Sequence, residues 1–84
     1  MLAPTFDYND ERNRVSNAIR IVVNGESRQV PSGSTIADLL RALEVNPERV
    51  AVELNRQIIR RPDWPSTELT AEAELEIVHF VGGG

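Results

Sequence analysis

One segment of this chain has helical periodicity; its other apolar runs are short and β-branched. Ile36, Leu39, Leu40 and Leu43 fall at i, i+3, i+4 and i+7, which sets all four on one side of an α-helix. Thr35 and Asp38 have the spacing of a capping box, with Asp in place of the preferred Glu. Asn46-Pro47 reads as the end of the helix, and Asp38, Arg41 and Glu44 occupy its polar face. A lone helix with one apolar stripe needs a sheet to lie on.

The flanking segments supply that sheet. Ile19 to Val23 alternates as a strand, with Ile19, Ile21 and Val23 toward a core and Val22 away from it. Asn24-Gly25 is a strong hairpin signal because both residues accept positive φ. Glu26 to Val30 returns as a second strand, and Pro31-Ser32-Gly33 turns toward the helix. Beyond the helix, Val50 to Leu54 and Gln57 to Ile59 read as strands joined by Asn55-Arg56. Arg60 to Pro65 reads as a loop bearing Trp64 as a plug for the base of the core, and Leu69 as a further core residue. Leu75 to Val81 reads as a buried or mostly buried last strand. Strand, strand, helix, strand, strand, strand describes an α+β domain with one helix on a mixed sheet. The extra apolar residues in the first and last strands put both in the middle of that sheet.

Size and charge narrow the function. A chain of 84 residues is one small domain, which argues against a deep catalytic cleft. It has no cysteine and one histidine, so no disulfide, thiolate nucleophile or histidine-cluster metal site is expected. The net charge of −4 argues against nucleic acid and anionic membrane surfaces, and fits a partner with a basic face. No apolar run approaches membrane-span length and no signal pattern opens the chain, so a cytoplasmic protein is expected. Residues 1–17 lack periodicity and read as a disordered extension, with Phe6 and Tyr8 as weak docking groups; residues 18–84 form the domain. All nine basic residues are arginine. Codon usage explains that, and it also removes lysine amines from the chain's own surface.

Three residues follow the last strand: Gly82, Gly83 and Gly84. Without Cβ atoms they form a thin, mobile, solvated tail whose one chemical group is the Gly84 α-carboxylate. Such a tail suits delivery of a carboxylate into a narrow active site on another protein; a frayed end is the plain alternative. Val22, Val78 and Phe80 fall on the sheet face away from the helix, and lie together there if the first and last strands pair. An exposed apolar patch of that kind marks an interface, unless the N-terminal extension covers it. Arg60 and Arg61 read as solvated, and His79 as a packing or surface residue rather than a catalyst.

Several local strings sharpen this reading. They are Gly33-Ser34-Thr35-Ile36-Ala37-Asp38-Leu39-Leu40, Val52-Glu53-Leu54-Asn55, Trp64, and Glu76-Ile77-Val78 running through Val81 to Gly82-Gly83-Gly84. Together with the Asn-Gly hairpin they resemble the ThiS-type sulfur carriers of thiamin biosynthesis, over about Ile19 to Gly84. The chain departs from that pattern at Ala71-Glu72-Ala73-Glu74, where the family has a Gly-Asp turn, and in its long N-terminal extension.

The resemblance implies a ubiquitin-like β-grasp fold with a flexible Gly-Gly tail. It also implies a carrier rather than an enzyme, binding no cofactor of its own. A ThiF-like adenylyltransferase would use ATP and Mg²⁺ to adenylate Gly84. A persulfide sulfur donor would convert it to a thiocarboxylate, and thiazole synthase would take the sulfur. Gly82 and Gly83 would form the slim neck. A molybdopterin-synthase small-subunit-type carrier and a ubiquitin-like protein modifier are the alternatives, since both share the fold and the tail.

Overall fold

A computed structural model of the chain describes residues 17–80. At the first turn Asn24 and Gly25 adopt φ values of 50° and 84°. That turn joins β1 (Ala18–Val23) to β2 (Glu26–Pro31) as an antiparallel pair, with Val23 opposite Glu26. Consecutive positive φ values match the right-handed twist of the two strands, which is why the Asn-Gly pair serves here.

The helix α1 covers Ile36–Ala42. Both halves of its capping box form: Thr35 Oγ1 accepts the Asp38 N–H at 3.1 Å, and Asp38 Oδ2 accepts the Thr35 N–H at 3.0 Å. The hydrogen bond from the Thr35 backbone, helped by the Thr35 hydroxyl and the Arg41 guanidinium, holds the Asp38 carboxyl below its ordinary 3.8. A carboxyl lowered by folding stabilises the fold above its unfolded pKa, and that support is lost as pH falls through the lowered value.

The helix stops earlier than Asn46-Pro47 implies. Glu44 takes φ 59°, its N–H donates to the Arg41 carbonyl, and the Val45 N–H donates to the Leu40 carbonyl. This is a Schellman end with glutamate where glycine is usual. Asn46 instead caps a short 3₁₀ turn, Pro47–Arg49, by accepting the Glu48 N–H.

The rest of the sheet consists of β3 (Val50–Leu54), β4 (Gln57–Ile59) and β5 (Glu74–His79). Its order is β2-β1-β5-β3-β4, so the first and last strands are central, as their composition implies. β5 runs parallel to β1 and antiparallel to β3.

One face of the sheet packs on the helix. Ile21, Val23, Val50, Val52, Leu75 and Ile77 from the strands meet Ile36, Leu39 and Leu40 from α1. Leu69 joins them, and Trp64 closes the base, its indole N–H donating to the Ile59 carbonyl at 2.8 Å. The segment Arg61–Ser66 around Trp64 is a 3₁₀ helix rather than a loop. Pro62 at its start and Pro65 within it lack the N–H groups a β ladder would need, but fit tight turns.

The last strand also differs from its expected burial. It alternates, with Leu75 and Ile77 buried and Glu74, Glu76 and Val78 exposed. It is therefore covered on one face, because a single short helix covers only one side of the sheet. Asn17, grouped with the extension by its composition, is tied to the sheet through its carbonyl, which accepts the Ser32 N–H. The disorder expected of residues 1–16 lies outside the described residues.

Holding a non-glycine residue in the left-handed region costs about 1–2 kcal/mol, partly offset by glycine's greater unfolded-state entropy. Glu44→Gly is therefore expected to stabilise the fold by about 0.5–1 kcal/mol, read as a higher urea midpoint at unchanged m-value. In wild type, acid should destabilise the α1 cap as Asp38 protonates. Asp38→Asn should flatten that part of the pH–stability profile, measured by urea melts from neutral pH down into the acid range.

Candidate functional site

β5 carries the chain toward residues 81–84, so the positioning of this strand is what the rest of the site inherits. Main-chain bonds hold it on both sides. The Val22 and Asn24 N–H groups donate to the Ala73 and Leu75 carbonyls, each at 2.9 Å. On the other side β3 pairs from Val50↔His79 to Leu54↔Leu75. At the far end the Phe80 N–H donates to the Arg49 carbonyl at 2.8 Å.

Two asparagine side chains extend these ladders. The β1–β5 register ends at Val23↔Leu75. Past it, Asn24 Oδ1 accepts the Ile77 N–H at 2.8 Å and Asn24 Nδ2 donates to the Ile77 carbonyl at 3.2 Å. A carboxamide offers the same donor and acceptor as a peptide group, so Asn24 stands in for the strand that has turned away. On the opposite side Asn55 Oδ1 accepts the Glu74 N–H at 3.0 Å, and the Asn55 N–H donates to the Glu74 carbonyl at 2.7 Å. Sequence reasoning saw in Asn24 only its tolerance of positive φ. Nothing local reveals a partner 53 residues away.

Among the described residues, no element packs on the face of the sheet opposite α1. Val22, Val78 and Phe80 were expected to gather on it. Val78 is 51% and Phe80 58% exposed, while Val22 is half-buried. Although β1 and β5 pair, their register sets Val22 beside Glu74. Four residues of strand, about 13 Å, separate that position from Val78. Val22 instead shares a shallow hollow of about 330 Å³ with Glu53, Glu74, Glu76 and Arg56.

The neighbours of the exposed end of β5 are different residues. Ala51 lies directly opposite Val78. Ile58, 71% exposed, lines a cavity of about 260 Å³ with Ala51 and Phe80, rimmed by Arg60 and Arg61. Sequence reading passed over Ile58 because Ile58-Ile59 sits in a strand of three residues, too short for alternation to say which isoleucine faces out.

Gly82, Gly83 and Gly84 lie outside the described residues. His79 is exposed and lines a separate groove on the helix side with Asn24, Leu43 and Val45. Among the described residues, no group of three or more His, Cys, Asp or Glu side chains is placed to hold a metal ion. No helix among them is long and apolar enough to cross a membrane.

A mixed five-stranded sheet with strand order 2-1-5-3-4, gripping one main helix and sending its central last strand out toward a glycine run, defines a ubiquitin-like β-grasp protein. The family model of the ThiS family matches residues 9–84, and the chain belongs to that family. It is 44% identical over 50 residues to the sulfur carrier protein ThiS of Bacillus subtilis, covering 60% of this chain and 76% of that protein. It is 38% identical over 66 residues to a thiazole synthase of Magnetococcus marinus, covering 79% of this chain. That match spans 20% of the synthase, a fifth of its length. The crystal structure of the thiamine biosynthesis protein ThiS from Geobacter metallireducens superposes with a TM-score of 0.70 at 32% identity. That superposition covers 79% of this chain and all of the other.

Replacing Asn24 by glycine keeps the turn geometry but removes the carboxamide. Asn24→Gly is expected to cost about 1–2 kcal/mol, because both polar groups of the Ile77 peptide lose their partner. Faster amide hydrogen exchange at Ile77 than in wild type, with the β1–β2 amides less affected, would show the loss is local to this joint.

Proposed function

We propose that this chain is a sulfur carrier of thiamin biosynthesis: not an enzyme, but a protein whose C-terminal glycine is charged with sulfur by others. The observation that carries the reading is the family match, which runs through Gly84. It sits on a fold whose last strand is central in the sheet and ends at His79, three residues before the glycine run in sequence.

The chemistry follows from the weakness of a carboxylate as an electrophile. A sulfur nucleophile cannot displace its oxygen unaided. A ThiF-like adenylyltransferase, using ATP and Mg²⁺, would join the Gly84 carboxylate to AMP and release pyrophosphate. The outer sulfur of a persulfide donor would then displace AMP to give an acyl disulfide, and a thiol attacking the donor-side sulfur would release the thiocarboxylate and leave a disulfide behind. Activation and oxyanion stabilisation belong to the partner, and the carrier contributes first the acyl group and then the sulfur. Gly82 and Gly83 carry no Cβ atoms, so as a slim neck they would let the Gly84 carbonyl reach the nucleotide through a narrow channel.

Thiazole synthase is the proposed acceptor. The similarity of this chain to a fifth of the length of two proteins named thiazole synthase supports that pairing. A carrier-like segment tethered to its acceptor would work at high effective concentration. Val78 and Phe80 are proposed partner contacts, since both are exposed near the root of the tail. Val22 is proposed at the far side of the same face, and the cytoplasm is the proposed setting.

Intact-mass measurement tests the reading. Incubated with a ThiF-like adenylyltransferase, ATP, Mg²⁺, a persulfide donor and a thiol reductant, the full chain should gain about 16 Da as sulfur replaces one oxygen. Deletion of Gly84 should abolish the gain and leave the thermal unfolding midpoint unchanged. Covalent conjugates to other proteins, appearing as larger bands, would instead identify a protein modifier.

A further inference from the structure

Along the open side of β5 the outward residues are Glu74, Glu76 and Val78, followed by Phe80 past the strand end. The face thus changes from acidic to apolar in the direction of residues 81–84. Glu76 stands directly opposite Glu53 on β3. Like charges in that position destabilise a sheet. The ion pairs among the described residues are Arg20–Glu72 and Arg41–Asp38, and neither involves this pair. Arg56 shares the hollow as one cation against three carboxylates. A local rule broken on an otherwise consistent sheet calls for a compensating role.

We propose that the open face is a two-part docking surface for a protein partner. That partner sets a basic side chain against Glu53 and Glu76 and an apolar one against Val78 and Phe80, with Ile58, opposite Glu53 on β4, at the seam between the two parts. The inference rests on the carrier reading above and adds the chemistry of the partner's contact surface.

Charge and position commit the face to this occupant. Its acidic half repels nucleic acid and anionic lipid, and the chain's net charge of −4 opposes a second copy. The apolar half adjoins the root of the tail, since Phe80 is four residues from Gly84. Those residues reach at most about 14 Å when extended. A partner seated here therefore determines where the terminal carboxylate can land. The carboxylates give orientation and encounter rate, and the apolar end gives most of the affinity.

The test uses the full chain and a ThiF-like adenylyltransferase, following adenylation by intact mass. The double variant Glu53→Gln with Glu76→Gln should raise KM by about tenfold at low salt, with a smaller change in kcat. Wild-type KM should climb with added salt, and the variant's should climb much less. The variant's urea midpoint should be equal to or above that of wild type, which a merely structural role for the two glutamates would not allow. An unchanged KM with equal salt slopes would overturn the docking surface while leaving the carrier reading intact.

If wild type is not adenylated, the carrier reading fails. The face is then judged by titrating the ¹⁵N-labelled chain with the same enzyme. Shifts at Glu53, Glu76 and Val78 support it, and their absence overturns it. Two observations on the free full chain would also overturn it. One is self-association in sedimentation that Phe80→Ser abolishes. The other is shielding of the Ile58 and Val78 methyls from a soluble relaxation agent, which would mean the chain's own residues cover the face.

Discussion

Everything in this domain depends on a strand made last in sequence and placed in the middle. β5 has no hairpin partner next to it in the chain; it slides between β1 and β3, one parallel and one antiparallel. Parallel pairing is the weaker of the two arrangements and spans the longest stretch of chain. The β1–β5 contact is also short, with two residue pairs in register. The Asn24 carboxamide lengthens that short seam by bonding both polar groups of Ile77, and Asn55 does similar work at Glu74. The two turns that close the hairpins thus also grip the central strand.

This arrangement fits the proposed use of so small a protein as a handle for its own end. Leu75 and Ile77 are buried beneath α1, and the Phe80 N–H is tied to Arg49, while the Phe80 side chain remains exposed. The described end of the chain is therefore tied into the sheet through Phe80, four residues before the proposed reactive Gly84. Among the described residues the helix covers one side only, and the other side is the proposed partner surface. A second covering layer would add stability but remove the surface on which a visitor could settle.

Much of the architecture was legible from residue patterns. The helix stripe, the Asn-Gly hairpin, the capping box and the central place of the first and last strands all follow from periodicity and turn chemistry. Errors clustered where tertiary contacts override local preference. Asn46-Pro47 looks like a helix end, but Leu43 and Val45 pack against the core and draw the chain into a left-handed turn at Glu44 first. Glu72 holds φ 67° without being glycine, its N–H donating to the Arg20 carbonyl and its carboxylate paired with the Arg20 side chain. The last strand read as buried or mostly buried because its apolar run is long; with a single helix it is covered on one face.

By itself the amino-acid order settled what depends on neighbours a few residues apart: which segments are strands, which is the helix, which side of each is oily, and that three glycines follow the last strand. Register was beyond it. Whether Val22 meets Val78 or Glu74, whether Glu53 faces a cation or another carboxylate, and which isoleucine of Ile58-Ile59 points outward are set by how distant strands align. The side-chain period of a strand tells the face but not the position along it. Only the folded sheet, with β5 locked by its two neighbours and two asparagine side chains, decided those pairings, and with them the surface beside the tail.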